Sequence, residues 1–172
     1  MRIYLTGFMG SGKSTVGRLL AARLGNLPFV DLDEEVERRA GMRVREIFEQ
    51  QGEPVFRRME REALEATLTL PDVVVATGGG TVTFEVNARL IRDGGLSVWL
   101  NPPFATIVAR VGGLGKEDRP LFRNETQALA LYRERLPAYR RADLTVDMAP
   151  QEGPEEIAAR IALRLGERRC AI

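Results

Sequence analysis

Gly7-Phe8-Met9-Gly10-Ser11-Gly12-Lys13-Ser14 is the stretch that decides the fold. It has the G-x-x-x-x-G-K-[ST] spacing of a phosphate-binding P-loop. An apolar run over 3–5 precedes it and a helical pattern from 15 follows it, which is the context such a loop needs. Glycines let the backbone wrap close to phosphate oxygens with its N–H groups pointing inward. The helix start behind them adds the positive end of a dipole. On this reading Lys13 reaches the β- and γ-phosphates of a nucleotide, and the Ser14 hydroxyl holds Mg²⁺.

Outward from the loop, short apolar runs at 3–5, 29–30, 73–76, 98–100 and 144–146 read as buried strands. Helical patterns lie between and after them, at 15–24, 34–40, 44–50, 55–68, 86–93, 104–111, 126–141 and 154–165. Strand and helix in alternation predict an α/β fold with a parallel sheet covered on both faces. About forty residues separate the second and third strands, more than one crossover needs, which predicts an inserted helical segment. Gly112-Gly113-Leu114-Gly115-Lys116-Glu117-Asp118-Arg119-Pro120 is polar, charged and glycine-rich, as an active-site lid would be. Trp99 falls on a buried strand and is expected in the core.

Composition narrows the chemistry. The chain has 172 residues, the size of one domain, with 44% hydrophobic and 28% charged residues and a net charge of +1. No global field draws nucleic acid or an acidic membrane, so an anion site must be local. There is no histidine, which removes the usual general base and every Ser-His or Cys-His pair. The lone Cys170 is expected to be an incidental tail residue. The N-terminal apolar run is too short for a signal peptide, and no stretch spans a bilayer, so a cytoplasmic enzyme is expected.

A P-loop names the ligand and leaves the reaction open. Neither an Asp-x-x-Gly nor an Asn-Lys-x-Asp of a GTP switch occurs. The third strand runs into Gly78-Gly79-Gly80 without an acid, so the metal-side carboxylate comes from elsewhere, and the candidate is Asp31-Leu32-Asp33 at the end of the second strand. Strand alternation would put Asp31 and Asp33 on one side, one near Mg²⁺ and one near an acceptor hydroxyl. The competing reading has Asp33 capping a helix that begins at Glu34. Three glycines after a buried strand favour close approach of a ligand to the backbone. Arg57 and Arg135, taken alone, read as solvated helix-surface residues, and converging on one carboxylate they would form charge-assisted bonds.

Taken together, Gly7 to Gly17, Asp31-x-Asp33, Gly52-Glu53-x-x-Phe56-Arg57-x-x-Glu60, Gly78-Gly79-Gly80, Arg119-Pro120-Leu121 and Arg135-x-Pro137-x-Tyr139 resemble shikimate kinases over nearly the whole chain. The resemblance implies a P-loop nucleoside monophosphate kinase-like fold in three layers, with a five-stranded parallel sheet. It implies one domain over 1–172, with a substrate-binding segment at about 32–60 and a lid at about 112–124. It implies ATP and shikimate as substrates, Mg²⁺ as metal, transfer to the shikimate 3-hydroxyl, and a monomer. By the same resemblance Gly10, Ser11, Gly12, Lys13, Ser14 and Thr15 contact ATP phosphates, while Ser14 and Asp31 serve the metal. Asp33 binds shikimate hydroxyls and is the base; Arg57 and Arg135 hold the carboxylate; Gly79 offers its backbone. Arg119 reaches the phosphates from the lid, Arg110 packs on adenine, and Gln151 is the nearest match to a basic residue beside it. Left open are kinases of gluconate or a nucleoside monophosphate, and a nucleotide-binding regulator without metabolite chemistry.

Overall fold

Alternation along β1 (Arg2–Thr6) sends Tyr4 to one face of a sheet and Ile3 and Leu5 to the other, and both faces are covered. The structure, a computed structural model, describes residues 1–113 and 124–170. β1 lies at the centre of a five-stranded parallel sheet with β2 (Phe29–Asp31), β3 (Val73–Ala76), β4 (Leu96–Asn101) and β5 (Leu144–Asp147), in the order β2-β3-β1-β4-β5. β1 pairs β3 on one side and β4 on the other, with Leu5 opposite Ala76 and Val98.

Each face has its own core. On one, Ile3, Leu5, Val74, Val98, Leu100 and Val146 pack under α1 (Lys13–Arg23) and α8 (Pro154–Cys170), which supply Val16, Leu20, Ile157 and Ile161. On the other, Tyr4, Val73, Val75 and Trp99 meet α2 (Leu32–Ala40), α3 (Val44–Gln51), α4 (Glu53–Thr67), α5 (Glu85–Gly94), α6 (Phe104–Gly113) and α7 (Glu125–Tyr139). Each fully buried Leu, Ile or Val contributes about 1.5–3 kcal/mol, so the two cores hold the layers together. The expected helical insertion between β2 and β3 is α2, α3 and α4. Its joints are specified locally. Gly41 closes α2 with a left-handed φ of 66°, the Glu46 carboxylate accepts from the Arg43 amide ahead of α3, and Pro54 opens α4.

Two boundaries differ from the sequence reading in a way that matters. α1 begins at Lys13 rather than 15, because Gly12 is itself the helix cap, so Lys13 and Ser14 lie in the first helical turn. β2 ends at Asp31 and α2 starts at Leu32, so strand alternation does not relate Asp31 to Asp33. The alternative cap is corrected too. Asp31, not Asp33, caps α2, its Oδ1 accepting from the amides of Asp33 at 3.0 Å and Glu34 at 3.4 Å.

Candidate active site

The carboxyl ends of the strands open into a cleft of about 810 Å³, at the switch between β1 and β3, whose outgoing connections run to opposite sides of the sheet. One wall is the P-loop. Gly10 has a φ of +75°, and a Cβ there would sit 2.7 Å from Val111 Cγ2, so no larger residue fits this curl against α6. The Lys13 ammonium lies inside the curl, donating to the carbonyls of Gly7 at 2.8 Å and Phe8 at 3.0 Å. Ser14 Oγ donates to Asp31 Oδ2 at 2.5 Å, which joins the first turn of α1 to the end of β2. Arg110, from α6, donates to the Gly10 carbonyl at 3.3 Å.

Gly10, Gly12, Lys13, Ser14, Thr15 and Arg110 all line this wall. Ser11 does not. Its side chain is fully buried beneath the loop, its Oγ without a hydrogen-bond partner among the described residues, and its amide donates to the Phe8 carbonyl at 3.2 Å. Gln151 is exposed and outside the lining; the chain after β5 contributes Met148, Pro154 and Ile157 instead. Arg119 lies outside the described residues, as does most of the 112–124 segment.

The opposite wall gathers around Gly78-Gly79-Gly80. A Cβ built on Gly78 would lie 3.1 Å from Asp33 Oδ1, one on Gly79 3.3 Å from Arg135 Nη1, and one on Gly80 2.7 Å from Arg57 Nη2. The same point on Gly79 is 3.3 Å from the Met9 amide, so this wall abuts the P-loop. Asp33, Arg57 and Arg135 therefore converge on one glycine turn, from the start of α2, from α4 and from α7. Asp33 keeps its place in the cleft although strand geometry does not put it there; the first turn of α2 does.

The two arginines are not the solvated residues that their helices alone suggest. Arg57 bonds Glu53 at 3.0 Å and the fully buried Glu60 at 2.9 Å, with the rings of Phe56 and Phe84 near its guanidinium. Glu60 also accepts from Thr81 Oγ1 at 2.5 Å, so its buried charge is paired and bonded on both oxygens. Arg135 is 6% exposed and sits 5.8 Å from the centre of the Phe8 ring. No carboxylate of the described residues pairs with it, although a buried guanidinium is costly without an anion.

Glu60, Thr81 and Tyr139 are parts of this wall to which the sequence reading gave no role. Their signals were spacings: Arg57 and Glu60 are one helical turn apart, and so are Arg135 and Tyr139. The Tyr139 hydroxyl donates to the Gly79 carbonyl at 2.5 Å. Burial pushes this phenol well above its ordinary pKa, against the pull of the Arg135 charge, so it remains a donor throughout the neutral range.

The family model for shikimate kinase matches residues 9–165. A shikimate kinase of Sulfurihydrogenibium sp. is 40% identical over 167 residues, covering 96% of this chain and 98% of that one. One from Moorella thermoacetica is 45% identical over 152 residues, 87% of this chain and 86% of its own. The solved shikimate kinase of Acinetobacter baumannii, in complex with shikimate, superposes with a TM-score of 0.91 at 34% identity, over 97% of this chain and 93% of that one. A deoxyadenosine kinase of M. mycoides, at 17% identity and a TM-score of 0.61, shares the fold alone. With its P-loop, its paired acids and its two arginines on one glycine turn, the chain belongs to the shikimate kinase family.

Proposed function

We infer that the protein transfers the γ-phosphoryl group of ATP to the 3-hydroxyl of shikimate, giving 3-phosphoshikimate and ADP on the route to chorismate and the aromatic amino acids. The observation that carries the acceptor assignment is the convergence of Asp33, Arg57 and Arg135 on Gly78-Gly79-Gly80 beside the P-loop. Two guanidinium groups suit a carboxylate, and one carboxylate beside them suits a hydroxyl proton. A neutral sugar would leave the buried Arg135 uncompensated, so the site favours an acceptor that carries an anion, as shikimate, gluconate and nucleoside monophosphates all do.

In this reading shikimate binds through its carboxylate to Arg57 and Arg135, and through hydroxyls to Asp33 and the Gly79 backbone. The 3-hydroxyl then faces the terminal phosphorus. A new O–P bond forms as the bridging P–O bond of ATP breaks; its electron pair leaves with ADP, and the hydroxyl proton passes to Asp33. Lys13 exchanges two neutral carbonyl partners for phosphate oxygens and offsets the charge that grows on them. Arg110 packs on adenine in this reading, and Gln151 is its proposed neighbour. Arg119, within a lid at 112–124, joins from outside the described residues.

Mg²⁺ fits what is present. Ser14 Oγ and Asp31 Oδ2 are hard oxygen donors 2.5 Å apart, at the loop that would hold the phosphates. Among the described residues no cluster of three or more His, Cys, Asp or Glu could hold a metal, so nucleotide oxygens would complete the set. When bound, the ion neutralises phosphate charge. No described helix is long and apolar enough to cross a membrane. We place the enzyme in the cytoplasm as a monomer of one domain, with 32–60 as its acceptor-binding segment. An ADP-release assay with shikimate, gluconate and nucleoside monophosphates tests the reading: release on shikimate alone supports it, and faster release on either competitor overturns it.

A further inference from the structure

We propose that Tyr139 is a positioning residue for the acceptor, holding the Gly79 peptide in the orientation that shikimate reads while leaving the nucleotide half untouched. The proposal rests on the acceptor assignment above. Three consecutive glycines have the widest backbone freedom of any tripeptide, so a ligand-reading turn built from them must be fastened from outside. Two of its three carbonyls are fastened locally. Gly78 accepts from the Thr81 amide at 3.2 Å, and Gly80 from the Thr83 amide at 3.1 Å and the Thr83 hydroxyl at 2.7 Å. The middle carbonyl, that of Gly79, is held by a side chain 60 residues away, the Tyr139 hydroxyl at 2.5 Å.

Tyr139 can act as a fixed post. It is fully buried, and its ring lies against Trp99 at 6.0 Å with an interplanar angle of 27°. It stands one helical turn beyond Arg135 on α7, and Arg135 Nη1 faces the same glycine. One helix, with Pro137 between the two residues, thus carries both the guanidinium that takes the carboxylate and the hydroxyl that holds the peptide. Their separation is then defined by a helix rather than by a loop. The P-loop has its own supports in Lys13 and Arg110, so loss of the Tyr139 hydroxyl leaves it in place.

The test is Tyr139→Phe, which keeps the stacked ring and removes the hydroxyl. Tyr4→Phe serves as its control, since Tyr4 is equally buried and its hydroxyl shares a hydrogen bond with Thr67 at 3.3 Å, away from the cleft. KM for shikimate is expected to rise about tenfold in Tyr139→Phe, with kcat and the ATP dissociation constant within about twofold of wild type. Tyr4→Phe is expected to keep all three while losing similar thermal stability. An unchanged shikimate KM in Tyr139→Phe overturns the proposal, and so does a parallel rise in the ATP constant. Unfolding of Tyr139→Phe at the assay temperature overturns it as well, because the hydroxyl would then serve the fold. Failure of the wild type to phosphorylate shikimate would instead sink the acceptor assignment, so the two failures are distinct.

Discussion

The two walls of the cleft are built on opposite plans. The nucleotide wall is mostly backbone, from one contiguous stretch, shaped by glycine dihedrals and a helix start. The acceptor wall is mostly side chains, with Asp33, Arg57 and Arg135 drawn from three helices onto a turn after β3. Backbone that curls around phosphate takes any triphosphate tail, since every residue but proline supplies an N–H. Side chains from separated elements recognise one shape, because their spacing depends on how those elements pack. On the proposed reading, the first plan serves any nucleotide-using kinase and the second decides which alcohol is phosphorylated.

That division predicts separable losses. Asp33→Asn should have the largest effect, lowering kcat about a thousandfold while ATP binding, followed by calorimetry, stays intact; near-normal turnover would remove Asp33 from the base role. Lys13→Met should lower kcat about a hundredfold or more and leave the shikimate dissociation constant alone. A matching loss of acceptor affinity would mean that the walls are not independent. Arg135→Gln should raise KM for shikimate about 10- to 100-fold, the value of a charge-assisted contact, with KM for ATP within about twofold. Equal effects on both substrates would break the comparison.

The smallest effect lies on the solvent side of α2, away from both walls. Glu35 is held down at about 2, from an ordinary 4.5, chiefly by hydrogen bonds from Arg38, with Arg39 adding and partial burial opposing. Because its folded pKa is depressed, its contribution is fully present above about 4.5 and fades as pH falls toward 2. Glu35→Gln should therefore lower the melting temperature at pH 7 by no more than about 3 °C, and by less at pH 3, without altering either KM. A gap that widened on acidification would reverse the assigned sign.

Much of this was legible beforehand, for reasons specific to each residue. The P-loop could be read directly because its function is local, and the strand–helix alternation sufficed for a parallel sheet because each element buries a face. For Asp33 the sequence argument and the structure differ in their reasons. Alternation along a strand pointed to it, whereas the structure ends β2 at Asp31 and carries Asp33 into the cleft on the first turn of α2. Gln151, matched by position alone, is exposed beside a cleft that Met148 and Pro154 line.

By itself, the sequence determined the phosphate loop, the layered α/β architecture, the missing histidine chemistry and the candidate acids and arginines, since local backbone geometry and hydrophobic periodicity are written in neighbouring residues. Only the tertiary structure decided that Arg135 is buried without a carboxylate partner among the described residues, that Glu60 and Thr81 fasten Arg57, and that Tyr139 reaches the Gly79 carbonyl. Those facts depend on distances between elements far apart in the chain, and the packing of two cores against one sheet sets such distances where no local rule can.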